Sequence, residues 1–179
     1  LWTEDHVSFK GENYVLDEAT ISPKPIQDPL PLWVGGSSDK AIERTARWGT
    51  GWQAGIESAA DIEPVIIRIK EQALELKRTI PEDHFGAGFA FRFGSENERI
   101  VVRQKELLSK RLNKDPKGLM AVGNKEDIMR LAQSFLDAGV QKFVLRPIAS
   151  GTQDMIEQTK KLIEEVLPEF KTLRQRPSD

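Results

Sequence analysis

The chain has 179 residues, 39% of them hydrophobic and 30% charged, with a formal net charge of −2. That mix fits a globular fold with a buried core and offers no basic stripe for nucleic acid. With no cysteine in the chain, disulfides and thiolate metal sites are excluded.

His6 and His84 stand far apart, without metal-ligand spacing, so no metal is expected. No run of about 18 apolar residues and no signal-peptide pattern occurs. The expectation is a cytoplasmic protein without a membrane partner. The first residue is Leu rather than Met, which points to a processed chain or a fragment.

In chain order, Val7 to Leu16 reads as a hairpin turning at Lys10-Gly11-Glu12-Asn13, because apolar residues alternate on both sides of that turn. Pro23, Pro25, Pro29 and Pro31 make the next segment an extended connector. A first strand spans Leu32 to Gly35, and a helix follows from Asp39 to Trp48, closed by Gly49. A second strand is predicted at Gly51 to Gly55. The next helix is read as capped by Asp61, tolerating Pro64 in its first turn and running to about Thr79.

Phe85 to Phe93 is a third strand in which Phe85, Ala87, Phe89, Phe91 and Phe93 alternate with Gly86, Gly88, Ala90 and Arg92. A charged helix, read as a solvated outer face, covers Ser95 to Leu112, then a loop Asn113 to Gly118 and a helix Lys125 to Ala138. Phe143 to Leu145 is the fourth strand, and a last helix runs from Thr152 to about Leu167 before a frayed tail from Lys171.

Strands separated by helices imply right-handed crossovers and a parallel sheet. Either an open doubly wound sheet or half of a closed barrel suits this order. The bare face of the third strand, opposite five apolar residues, fits a crowded barrel lumen.

The stretch Pro31-Leu32-Trp33-Val34-Gly35-Gly36-Ser37-Ser38 stops an apolar run at two glycines and two serines just before a helix. Such a junction can hold a phosphate, through close backbone approach at the glycines and free N–H groups at the helix end. Ser38 can equally be a simple N-cap, and on the residues alone both readings stand.

Taken with other segments, this stretch resembles the C-terminal half of the bacterial luciferase-like flavin monooxygenase superfamily, which includes alkanesulfonate monooxygenases and deazaflavin-dependent reductases. The other segments are Leu1-Trp2-Thr3-Glu4-Asp5 with Phe9-Lys10-Gly11, Ile21-Ser22-Pro23-Lys24-Pro25, and Ala46-Arg47-Trp48-Gly49 with Gly51-Trp52. To these are added Val122-Gly123-Asn124-Lys125-Glu126-Asp127, Ala138-Gly139 and Phe143-Val144-Leu145.

The resemblance implies an α/β fold comprising strands five to eight of a (β/α)8 TIM barrel, with an N-terminal hairpin and a helical insertion between the last two strands. As one partial domain it divides into residues 1–31 (hairpin and connector), 32–94 (strands five to seven), 95–141 (helices and insertion), 142–170 (last strand and helix) and 171–179 (tail).

It also implies that Gly35, Gly36, Ser37 and Ser38 bind the phosphate of reduced flavin mononucleotide. With dioxygen such an enzyme oxygenates a small organic substrate; its deazaflavin relatives transfer hydride. A flavin reductase is a further candidate partner, and the open edges of strands five and eight lead to the expectation of a homo-oligomer. Catalytic residues, including a histidine on an early strand, are expected upstream of Leu1, and neither His6 nor His84 matches that position.

Because barrel sites open at the C-terminal ends of the strands, Trp52, Gln53, Arg92 and Arg146 are candidates for substrate or cofactor contact. Each has an alternative. Trp52 can be core, Arg92 can pair with a carboxylate, and Arg146, before Pro147, can cap a loop. Ser150-Gly151-Thr152 is a second phosphate candidate. A non-catalytic half-barrel pairing with another chain through its open edges is the rival reading.

Overall fold

The computed structural model describes residues 1–173 and divides at Leu32 into two compact units. In the first, β1 (Val7–Lys10) pairs antiparallel with β2 (Val15–Ala19), and the Gly11 N–H closes the turn on the Tyr14 carbonyl at 2.8 Å. The proline-rich segment after β2 forms neither helix nor strand, as expected of a backbone short of donors. Lys24 Nζ donates to the carbonyls of Leu1 at 3.0 Å and Glu4 at 2.5 Å.

The second unit is a parallel sheet with helices. Its elements are β3 (Trp33–Gly35), α1 (Asp39–Trp48), β4 (Gly51–Gln53), α2 (Ala59–Glu75), β5 (Phe85–Phe93), α3 (Arg99–Leu112), β6 (Met120–Gly123), α4 (Lys125–Asp137), β7 (Lys142–Pro147), α5 (Thr152–Lys161) and α6 (Leu167–Leu173). Strand β5 is the axis of the sheet. Residues Gly86–Phe91 pair with all of β7 on one side. On the other side, Phe85 and Gly86 meet β4, and Ala90–Phe93 meet β6 further along. No further strand pairs with β3 or β7 among the described residues.

The core lies between the sheet and α1, α2 and α4. Phe85, Ala87, Phe89 and Phe91 are fully buried against Ile42, Ile62, Ile69, Ile128 and Phe135, and the Phe89 and Phe135 rings stack at 5.7 Å. The period of two in β5 thus turns one face to the helices. The other face is bare because Gly86 lies under Gln53 and the Trp33 ring, and Gly88 against the Val144 backbone; a Cβ at either would collide.

Several boundaries differ from expectation. The cap of α2 is Ser58, with Asp61 at the third helical position completing a capping box, so Pro64 falls in the second turn. That helix stops at Glu75 because Lys77 takes φ +57° and the Arg78 N–H returns to the Ala73 carbonyl at 2.8 Å. Residues 95–98 form a turn, the Glu98 carboxylate accepting from the Ser95 N–H at 2.7 Å, and α3 begins only at Arg99.

Strand β6 has no counterpart in the sequence reading. The last helix is interrupted by a wide turn, Leu162–Val166, before α6. Pro168 accounts for it, since its ring cannot donate and crowds the carbonyl four residues back. Residues 174–179 of the expected frayed tail lie outside the described residues.

Candidate cofactor loop and substrate cleft

The loop between β3 and α1 is built by three devices. Gly36 has φ +96°, which turns the chain sharply after Gly35. Ser38 caps α1, its Oγ accepting from the Ala41 N–H at 3.3 Å while its carbonyl accepts the same N–H at 2.8 Å. The N–H groups of Asp39 and Lys40 therefore remain at the helix end, where the dipole favours an anion. The third device is Trp52, wholly buried in the core, whose indole Nε1 donates to the Gly36 carbonyl at 2.8 Å.

Between these fixed points Ser37 Oγ is buried and has no hydrogen-bond partner among the described residues. A buried hydroxyl without a partner costs roughly 1–3 kcal/mol, so this loop has a donor waiting for an acceptor. The first-turn carboxylate Asp39 is turned aside in an ion pair with Arg68 at 2.7 Å. Gly35, Gly36, Ser37, Ser38 and the helix end together fit a phosphate group.

The other sequence candidates separate. Trp52 is core, and it also positions the loop. Gln53 sits on the bare face of the sheet over Gly86. Arg92 is held between two carboxylates: Nε and Nη2 bond Glu98 at 2.8 and 2.7 Å, while Nη1 bonds Asp154 at 3.0 Å and the Ile148 carbonyl at 2.8 Å. This is the carboxylate-pairing alternative for that residue.

Hydrogen bonding to Arg92 holds the Glu98 carboxyl below its ordinary range, and Arg92 itself is raised. Asp154 is lowered chiefly by the Ser150 N–H and then by Arg92. Asp154 also accepts the Ser150 N–H at 2.7 Å. A carboxylate of the chain itself thus takes both the N–H and the hydroxyl of Ser150, while no side chain among the described residues caps the first turn of α5.

Arg146 is exposed on the bare side of β7 and lines a cleft of about 360 Å³ at the C-terminal ends of β5 and β7. The roof of that cleft is α3, whose Ile100, Gln104, Leu108 and Arg111 face it. A small apolar cluster of Ala90, Val101, Val122 and Ile148 holds the helix there. The expectation that this helix presents only a solvated face is corrected. Its spacing of 100, 104, 108 and 111 is one helical stripe, and that was the available signal for Gln104 and Arg111. A larger groove, about 750 Å³, passes the edge of β7 beside Trp33, Gln53, Val144 and Phe170.

A family profile described as luciferase-like monooxygenase matches residues 1–167. The chain belongs to this family. It is 23% identical over 198 aligned positions to an F420-dependent glucose-6-phosphate dehydrogenase of Amycolatopsis mediterranei, covering 97% of the chain and 58% of that protein. A 48-residue segment is 42% identical to an FMNH2-dependent dimethylsulfone monooxygenase of Pseudomonas putida, covering 26% of the chain and 13% of that protein.

Among solved structures, an F420-dependent secondary alcohol dehydrogenase in complex with an F420-acetone adduct superposes with a TM-score of 0.71 at 20% identity. That superposition covers 95% of the chain and 58% of the dehydrogenase. The chain thus spans little more than half the length of the relatives it matches from end to end. The family's structures include luciferase-like TIM barrels, with which the parallel sheet agrees. No helix among the described residues is long and apolar enough to cross a membrane.

Proposed function

We propose that the chain is the C-terminal half of a luciferase-like (β/α)8 barrel oxidoreductase that holds its flavin or deazaflavin cofactor by the phosphate, on Gly35, Gly36, Ser37 and Ser38. The single observation that carries this is the unpartnered buried hydroxyl of Ser37 beside the open N-terminus of α1. The half-barrel part draws support from the unpaired sides of β3 and β7 and from the exposed bare face of the sheet, where Val144 is 51% accessible.

When bound, a reduced flavin supplies electrons to dioxygen, and a reduced deazaflavin supplies hydride. The residues of this chain orient that group. Ser37 Oγ and the Asp39 and Lys40 N–H groups donate to its phosphate, and Trp52 keeps the Gly36 carbonyl turned away from it. The first reading is a monooxygenase with reduced flavin mononucleotide. A deazaflavin-dependent hydride transfer is the second, favoured by the end-to-end match to an F420-dependent dehydrogenase.

The test is a titration of the full-length protein with flavin mononucleotide, riboflavin and the deazaflavin coenzyme F420. Wild type prefers the mononucleotide to riboflavin or binds the deazaflavin coenzyme instead. Ser37→Ala weakens the preferred phosphorylated cofactor by about ten- to hundredfold and leaves riboflavin unaffected, since one hydrogen bond to a charged group contributes roughly 1.5–3 kcal/mol. Equal losses for phosphorylated and unphosphorylated ligands, or no loss, remove the loop from the site.

A further inference from the structure

The cleft under α3 has a composition that the cofactor loop does not account for. Its walls are Ile56, Ile100, Leu108, Leu119 and Ile148, with the bare Gly88 and Ala90 of β5 as its floor. Its polar groups are Gln104, Arg111, Arg146 and backbone, and no carboxylate among the described residues lines it. Arg111 and Arg146 come from different elements, the last turn of α3 and the end of β7. Neither makes a hydrogen bond or ion pair among the described residues.

This contrasts with Arg92, nearby on β5, which two carboxylates satisfy. Two guanidinium groups at one cleft of mixed aliphatic and polar lining, with no acidic side chain of the described residues in its walls, raise the local potential and focus it on whatever enters. A guanidinium matches a carboxylate, sulfonate or phosphate with two parallel N–H bonds, while the aliphatic walls match an apolar body. The cleft opens at the same end of the parallel sheet as the Gly36–Ser38 loop, with β5 and β7 lying two and three strands from β3. At about 4.8 Å per strand this is roughly 10–15 Å, so the cleft is separate from the phosphate loop.

We infer that this cleft binds the anionic end of the substrate, and that Arg146 and Arg111 grip an oxyanion on an otherwise apolar small molecule. The inference rests on the proposed oxidoreductase reading for the word substrate, and on geometry alone for the anion. Gln104, on the same stripe of α3, supplies a neutral donor beside the two cations.

The experiment is calorimetry on the full-length protein with three probes of one chain length: hexanoate, hexanesulfonate and hexanamide. Wild type binds the two anions at least tenfold more tightly than the amide. Arg146→Gln and Arg111→Gln each weaken anion binding by about ten- to hundredfold and leave hexanamide unchanged. Arg146→Lys, keeping the charge and losing the bidentate fork, recovers part of the affinity, which a purely structural role for the residue does not predict.

Equal binding of amide and anions, anion binding unaltered in the Arg111→Gln/Arg146→Gln double variant, or no binding of either anion overturns the inference. Titration of the same variants with flavin mononucleotide and riboflavin separates the two anion sources. An unchanged preference for the mononucleotide assigns the arginines to substrate; a lost preference assigns them to the cofactor phosphate and overturns the inference. If anion binding follows the prediction while no flavin or deazaflavin binds, the cleft stands and the oxidoreductase reading fails.

Discussion

Ser37 and Trp52 show how one loop is shaped by residues far apart in sequence: the indole pins the Gly36 carbonyl, and the buried Ser37 hydroxyl beside it has no partner among the described residues. The turn and the cap were legible, because glycine after an apolar run and serine before a helical pattern mark a strand-helix junction. The bond from Trp52 to the Gly36 carbonyl was not, because it joins positions 16 residues apart and depends on the parallel register that sets Val34 beside Trp52.

Trp52→Phe is the substitution that tests this bond. It keeps most of the buried ring and removes the N–H, so urea denaturation of the full-length protein is expected to show a loss of about 1 kcal/mol. Cofactor affinity falls several-fold because Gly36 is no longer pinned. A stability loss with unaltered cofactor affinity makes Trp52 a packing residue and nothing more.

At the scale of elements, Arg92 ties three of them together. Through Glu98 it fixes the start of α3, through Asp154 the start of α5, and it does so from the end of β5. The sequence reading placed Arg92 at the open end of its strand, but its partners lie 6 and 62 positions away, and only the first was within reach of local reasoning. Strand β6 was missed for a related reason. Four residues, Met120–Gly123, are too few to show a period, and they become a strand only because β5 is long enough to accept a second neighbour beyond β4 on the same side.

Arg92→Met is expected to cost roughly 2–3 kcal/mol at pH 7, since it strips two partly buried carboxylates of their partner. The pH dependence gives a second handle. Glu98 and Asp154 have lowered folded-state pKa values, so their stabilisation is fully present above the ordinary carboxylate values and is lost as pH falls through and below them. Unfolding of the wild type should therefore become easier below about pH 4.5. The variant, starting lower, should show a shallower decline, mostly through Glu98, whose lowering comes first from Arg92. Parallel acid profiles for the two proteins would mean that the ion pairs do not set the acid limit.

For the whole molecule, the alternation in β5 carried most of what could be read: one face packs against helices and the other is bare. That pattern does not say how the bare face is covered, because in a barrel the residues facing Gly86, Gly88 and Val144 would come from other strands. Val144 decides the matter. In a lone sheet its side chain is half exposed, at 51%, and exposed substitutions seldom move stability by more than about 0.5 kcal/mol. In a closed barrel the same side chain points into a packed interior, where Val144→Lys buries an unpaired ammonium and overfills the lumen, with a cost of several kcal/mol. Urea unfolding of the full-length protein carrying Val144→Lys should therefore show a destabilisation of roughly 3 kcal/mol or more. A change below about 0.5 kcal/mol would mean that water reaches this face in the complete protein, and that the four strands β3, β4, β5 and β7 end as an open sheet rather than as half of a barrel.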